Sequence, residues 1–304
     1  MSAHQRSTDS QPLKAALWMS GALLGFSSMA VAGRQLAGHL DTFEILGYRS
    51  LIGLMIVLTI AVTQGRLREC RASAMPLHIG RNLGHFAGQN LWLYALTLIP
   101  MAQLFALEFS YPILVGLGAT IFLGEKMTPT RAFTSALGFA GILIVARPFG
   151  ADGLSIGIFA AMACAFGFAA SALFTKKLTL TAHVSVLGIM FWMVTLQLGF
   201  GFVCALADGD MALPRLIDLP WVTVVAVAGL GAHFCLTTAL SLAPASVVTP
   251  IDFLRLPIIA VIGMMFYGEG LDGLVFLGAA IIFSANYINI LAENRRISAR
   301  STPS

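Results

Sequence analysis

Two carboxylates stand inside stretches that are otherwise apolar enough to sit in lipid: Glu108 within residues 101–123 and Asp252 within 245–267. Pro112 follows Glu108 by four residues. It has no N–H to give the Glu108 carbonyl, so an acid and a freed backbone acceptor fall at one level of one helix. Lipid does not tolerate that combination cheaply, and the face must look inward. Arg255 lies one turn beyond Asp252 on the same helix face. A buried charge costs about 2.5–3.5 kcal/mol at a helix centre on insertion scales, and pairing Asp252 with Arg255 offsets much of that. The place equivalent to Arg255 after Glu108 is held by Tyr111. Glu108 is therefore expected either to be protonated or to pair across helices, with Arg49, another charge inside an apolar stretch, as the candidate partner. Such groups can hold a proton, an amine or a carboxylate.

A second polar set repeats at four-residue spacing: Arg81, His85 and Gln89, with His78, Asn82 and Asn90 beside them. Arg81 and His78 fall near a helix end, where extension to the headgroups is the plainer expectation. The deeper His85, Gln89 and Asn90 either bond neighbouring helices or line a cavity. His233 occupies the place equivalent to Gln89 in the second half of the chain, and packing is its plainer role. Trp18, Trp92, Trp192, Phe105, Phe109, Phe168 and Phe253 could stack on a flat ligand, although aromatic residues in membrane spans mostly pack or sit at interfaces. The candidate substrate-binding set is Glu108, Asp252, Arg255, Arg49, Gln89, His85, His233, Tyr111 and Trp92.

The elements that must position these residues recur. Laying Pro100 on Pro244, an offset of 144, also superposes Glu108 on Asp252, Phe109 on Phe253, Gly124 on Gly268 and Glu125 on Glu269. A weaker echo at an offset of 142 sets Arg34-Gln35-Leu36 on Lys176-Lys177-Leu178. The chain is a tandem duplication. Its 304 residues are 58% hydrophobic and 11% charged, against about 25% charged for a soluble domain, and the mean hydropathy is +0.85. Ten apolar spans are expected, near 13–32, 43–63, 77–99, 101–123, 130–147, 155–174, 183–206, 220–242, 245–267 and 271–291. That gives an all-α integral membrane protein: a polar, disordered tail (1–12), a first five-span repeat (13–150), a second (151–292) and a closing tail (293–304). Ala30-Val31-Ala32 resembles a signal-peptidase site, yet the apolar core is too long for a signal peptide and has a repeat partner, so span one is expected to be retained.

Orientation follows from the loop bases. One side collects Arg6, Lys14, Arg66, Arg68, Arg71, Lys126, Arg131, Lys176, Lys177, Arg295, Arg296 and Arg300; the other keeps Arg34, Arg147 and Arg215. Twelve against three places both termini in the cytoplasm. Five spans per repeat then insert the second repeat upside down, a recurring plan of secondary transporters with the site between the halves. The net charge of +4 is spread over short loops and calls for no nucleic acid. The four cysteines lack the spacing of a disulfide framework or a metal site, and no cofactor is expected.

Ten spans in inverted halves, YALTLIPMAQL entering span four, the turn GEKMTP and the following SALGFAGILIV together resemble the EamA group of the drug/metabolite transporter superfamily. The likeness covers about residues 13–291, with Arg49, Pro112 and Gly124-Glu125 at matching places; the second turn, GEGLDG, lacks the usual base. The resemblance implies spans one to four and six to nine around a central cavity, with spans five and ten as buttresses. It also implies inner-membrane carriage of amino acids, nucleobases, riboflavin, S-adenosylmethionine or similar metabolites.

A secondary active transporter for a small polar metabolite is the leading reading. Amino-acid-like or S-adenosylmethionine-like compounds come first, because amine-bearing or cationic metabolites suit two acids, and a riboflavin, nucleobase or drug carrier is the alternative. Membrane lipid is the surrounding partner, and a proton is the candidate coupling ion. Asp252, beside a cation, is expected to keep its charge, and Glu108 to take up and release the proton. An intramembrane enzyme using Glu108 and Asp252 would need motifs such as Gly-x-Gly-Asp, His-Glu-x-x-His or Gly-x-Ser-Gly, and none occurs. A structural protein would not need duplicated intramembrane charges. Without Gly-x-x-x-x-Gly-Lys, ATP does not drive this chain.

Overall fold

Helices account for every regular element in the computed structural model, which describes residues 11–122, 124, 127–147, 154–180, 182–207, 209, 211–243, 248 and 251–301. The first tail up to residue 10, the Glu125-Lys126 turn, the repeat boundary at 148–153, Asp208, Asp210, Pro244 and residues 302–304 lie outside them.

Spans one to three are α1 (Pro12–Leu36), α2 (Thr42–Thr63) and α3 (Met75–Leu98). Span four is α4 (Met101–Glu108) followed by α5 (Tyr111–Phe122), and span five is α6 (Pro129–Ala146). Spans six to eight are α7 (Ile156–Leu180), α8 (Val186–Ala207) and α9 (Leu219–Leu242). Span nine contains α10 (Arg255–Tyr267), and span ten is α11 (Gly273–Ser301), which runs ten residues past its expected end at 291. Among the described residues, eight spans are long and apolar enough to cross a membrane by themselves. Span three carries the polar stripe, and the described part of span nine is short.

Turn chemistry explains the ends. Asp41 and Glu44 form a capping box at the start of α2, and Thr128 accepts the Arg131 N–H at the start of α6. Prolines stand in the first turn of α1, α3, α6 and α9, where an N–H is not missed.

Packing displays the inverted repeat. Span one packs on span eight as span six packs on span three; spans two and seven, four and nine, and five and ten pair with each other. Swapping the two repeats maps this list onto itself. Small residues allow the closest approaches: a Cβ at Gly167 of α7 would stand 2.8 Å from the Gly88 nitrogen of α3. The α5 and α10 halves share the core with α1, α3, α4 and α9, and buried residues from all of them form one continuous cluster.

The sequence reads span four as one helix, but the structure breaks it. α4 stops at Glu108 and α5 starts at Tyr111, with Pro112 in its first turn. The Phe109 carbonyl, left over at the break, accepts a 2.9 Å hydrogen bond from Asn286 of span ten. Span nine repeats the arrangement, with a turn at Phe253-Leu254 just before α10.

Candidate functional site

A cavity of about 310 Å³ opens between spans one, three, four, six, eight and nine, at the lower end of the ~300–1,000 Å³ range of small-molecule sites. Eight of the nine candidate residues line it: Glu108, Asp252, Arg255, Gln89, His85, His233, Tyr111 and Trp92. Glu108 and Asp252 come together because each is the last helical residue before its span's break.

Arg255 joins the two acids. Its Nη2 lies 3.4 Å from Asp252 Oδ2 and 3.6 Å from Glu108 Oε1. The candidate Arg49–Glu108 pair does not form: helix three turns the Trp92 indole N–H onto Glu108 Oε2 at 2.7 Å, and Arg255 takes the other oxygen. Arg49 lies outside the main cavity, in a small gap between α2, α8 and α9 with Ser50 and Gln197, and it makes no ion pair among the described residues. It packs against Gly229, where a Cβ would come 3.2 Å from its Nη2. Glu108 is therefore not the acid without a cation, and the contrast drawn from Tyr111 against Arg255 disappears. Both acids share one guanidinium.

Three rings fix that guanidinium, with Phe26, Phe109 and Phe105 centroids 4.6, 4.9 and 5.1 Å from Arg255 Cζ. Such contacts favour a desolvated cation. Of the aromatic candidates, Trp92 and Phe168 reach the cavity. Phe105 and Phe109 hold Arg255, while Phe253 stacks on Phe109 at 4.5 Å. Trp192 packs on Phe191, and Trp18 meets Phe234 on the outer surface of the bundle.

The imidazoles of His85 and His233 lie 5.8 Å apart, His233 edge-on to Phe26 and His85 beside Phe168. His85 Nε2, Gln89 Oε1 and Asp252 Oδ1 have no hydrogen-bond partner among the described residues. Arg81 does not extend to the headgroups as expected; it is buried, lines the cavity and bonds Thr175 Oγ1 at 3.2 Å and Asn82 Oδ1 at 3.0 Å. His78 is buried too, 6.1 Å from the Trp192 ring. Both turn inward because α7 and α8 cover that face of α3.

Sequence reasoning missed Met29, Ser171, Thr175, Leu236 and Thr237 as cavity walls. Ser171 and Thr175 are spaced four apart on span six, the same signal that marked Arg81, His85 and Gln89.

Known proteins resemble the chain along nearly its whole length. Residues 13–147 and 155–291 each match the EamA-like transporter family. The chain belongs to the EamA-like transporter family. It is a multi-pass membrane protein and a small-metabolite transporter; the family and its relatives point away from an enzyme. A riboflavin transporter of Rhizobium johnstonii is 30% identical over 293 residues, covering 94% of either chain. A riboflavin transporter of Vibrio cholerae is 29% identical over 89% of this chain and 91% of its own length. An S-adenosylmethionine uptake transporter of Rickettsia bellii is 25% identical, covering 93% of this chain and 95% of its own. One crystal structure superposes with a TM-score of 0.63 at 19% identity, over 93% of this chain and 99% of that one, a likeness of fold alone.

Proposed function

We propose that this protein carries a planar, polar heteroaromatic metabolite of the riboflavin type across the bacterial inner membrane, by alternating access and with both termini in the cytoplasm. One observation carries the substrate class. The cavity lining carries two acids, Glu108 and Asp252, which share Arg255, and a second base, Arg81, so that its formal charges balance. A neutral ring system therefore suits the site better than the cationic substrate that two free acids would favour. Phe26, Trp92 and Phe168 offer ring faces and edges, and Gln89 and Thr175 supply donors and acceptors around the rim of a flat ligand. The riboflavin transporters among the relatives support the same reading. S-adenosylmethionine is the second reading, supported by the Rickettsia relatives and by the unpartnered Asp252 Oδ1, which could accept from an amine.

Because the two acids share one cation, the Glu108–Asp252 pair is the place for a coupling proton, held by the pair and not by Glu108 alone. The twelve-to-three division of loop bases supports the orientation. Counterflow in proteoliposomes tests the substrate: labelled riboflavin should exchange against internal riboflavin and be inhibited by excess flavin but not by S-adenosylmethionine. Exchange of S-adenosylmethionine alone would reverse the order of the two readings. A reporter tag at Arg68–Ala72 should read cytoplasm and one at Gly209 the outside; the opposite pattern would overturn the orientation.

A further inference from the structure

The cavity reaches one end of the bundle and not the other. Its walls run from Glu108, Trp92 and Asp252 at mid-depth to Arg81, Thr175 and Thr237, close to the ends of the spans that carry Met75, Leu180 and Leu242. Toward the opposite end, where α1, α3 and α10 finish at Leu36, Leu98 and Tyr267, one carboxylate ties three spans together. Glu269 pairs through Oε1 with Arg34, in the last turn of α1, and accepts the Met101 N–H through Oε2 at 2.9 Å, at the first residue of α4. Its own chain has just left α10.

The local sequence builds this contact. Gly268 takes a left-handed conformation at φ +65° and turns the chain sharply at the end of α10. The Glu269 N–H then bonds back to the Gly263 carbonyl at 3.1 Å. The carboxylate lies over Gly263, where any Cβ would collide with Oε2. Tyr267 lies under the Arg34 guanidinium, 4.9 Å from ring centroid to Cζ, and its hydroxyl accepts from Gln35 at 3.2 Å. The joined spans are those that place Phe26, Glu108 and Asp252–Arg255 around the cavity. Loosening this one carboxylate would remove a tie common to all three.

We propose that Glu269 is the positioning residue that holds the cavity shut at the Arg34 end, with Arg34 as its counter-ion, and that transport requires this contact to break and re-form. The inference rests on the carrier reading, since a static protein needs no such release. By the repeat offsets Glu269 corresponds to Glu125 and Arg34 to Lys176; Glu125 lies outside the described residues, and the inference is confined to the Glu269 side.

Sided labelling tests it independently of transport. With Cys70, Cys164, Cys204 and Cys235 replaced by alanine, Met29→Cys places a thiol in the cavity wall on α1. A membrane-impermeant maleimide is then applied to right-side-out and to inside-out vesicles. Glu269→Gln and, separately, Arg34→Gln should raise labelling from the Arg34 side about tenfold, the scale of losing a charged hydrogen bond, and lower it from the other side. The swap Arg34→Glu with Glu269→Arg should restore the original pattern in part, because it rebuilds the ion pair but leaves the Met101 N–H without its acceptor. Unchanged labelling from the Arg34 side in both single variants, or an equal rise from both sides with no rescue by the swap, would overturn the proposal. Sided labelling that responds as expected, in a protein that exchanges no metabolite, would support the latch and remove the carrier reading instead.

Discussion

Replacing Arg255 by glutamine should strand two acids at once. The guanidinium lies 3.4 Å from Asp252 and 3.6 Å from Glu108. At an effective dielectric constant near 20, unit charges at either separation attract by about 5 kcal/mol, before desolvation and the mutual repulsion of the acids are counted. The two attractions differ by only ~0.3 kcal/mol on that scale, within the ~0.3–0.5 kcal/mol scatter of independent substitutions. Double-mutant cycles should therefore give Arg255 equal coupling to Asp252→Asn and to Glu108→Gln. Arg255→Gln alone should destabilise by about 3–5 kcal/mol, the usual consequence of removing one partner of a buried ion pair. The triple variant should regain most of that loss, because no buried charge is left unmatched. Equilibrium unfolding of the purified protein in mixed micelles, followed by tryptophan fluorescence, reads each step. Strong coupling to Asp252 with none to Glu108 would refute the shared cation and return the site to two unlike acids.

Trp92→Phe keeps a ring beside Phe105 but removes the 2.7 Å indole bond to Glu108; it should cost about 1.5–3 kcal/mol in the same unfolding assay, and a loss below ~0.5 kcal/mol would deny that bond any weight. Gly167→Ala drives a Cβ against the Gly88 backbone and should destabilise by about 1–3 kcal/mol; Gly199→Ala, in open space on α8, should show no such clash penalty in the same assay. Hydrogen bonds from Arg215 hold the Asp218 carboxyl below its usual range. Its contribution is thus fully present above about pH 4, the ordinary aspartate value, and is lost as pH falls through the depressed folded value. Melting temperatures between pH 6 and 2 should accordingly fall less steeply in Asp218→Asn, and parallel curves would exclude the pair as a source of acid sensitivity.

The periodicity of the sequence determined the spans, their number and the duplication, because lipid forces each span to satisfy its own backbone and leaves charges only where the bundle encloses them. It also picked out Glu108, Asp252, Arg255, His85, Gln89, His233, Tyr111 and Trp92, since a polar residue in an apolar span stands out without any structure. It did not determine which of these meet. Arg49 and Arg255 look alike as buried cations, but one lies among α2, α8 and α9 and the other reaches across to Glu108. Arg81 and His78 look like residues at a span end until α7 and α8 are seen to cover them. Glu269 reads as a turn residue after a glycine, and only the packing of spans one, four and nine brings Arg34 and the Met101 N–H onto its carboxylate. Spacing along one helix fixes which residues share a face. Contacts between helices depend on how those faces are turned and where the spans break, and both are decided by packing across the two repeats.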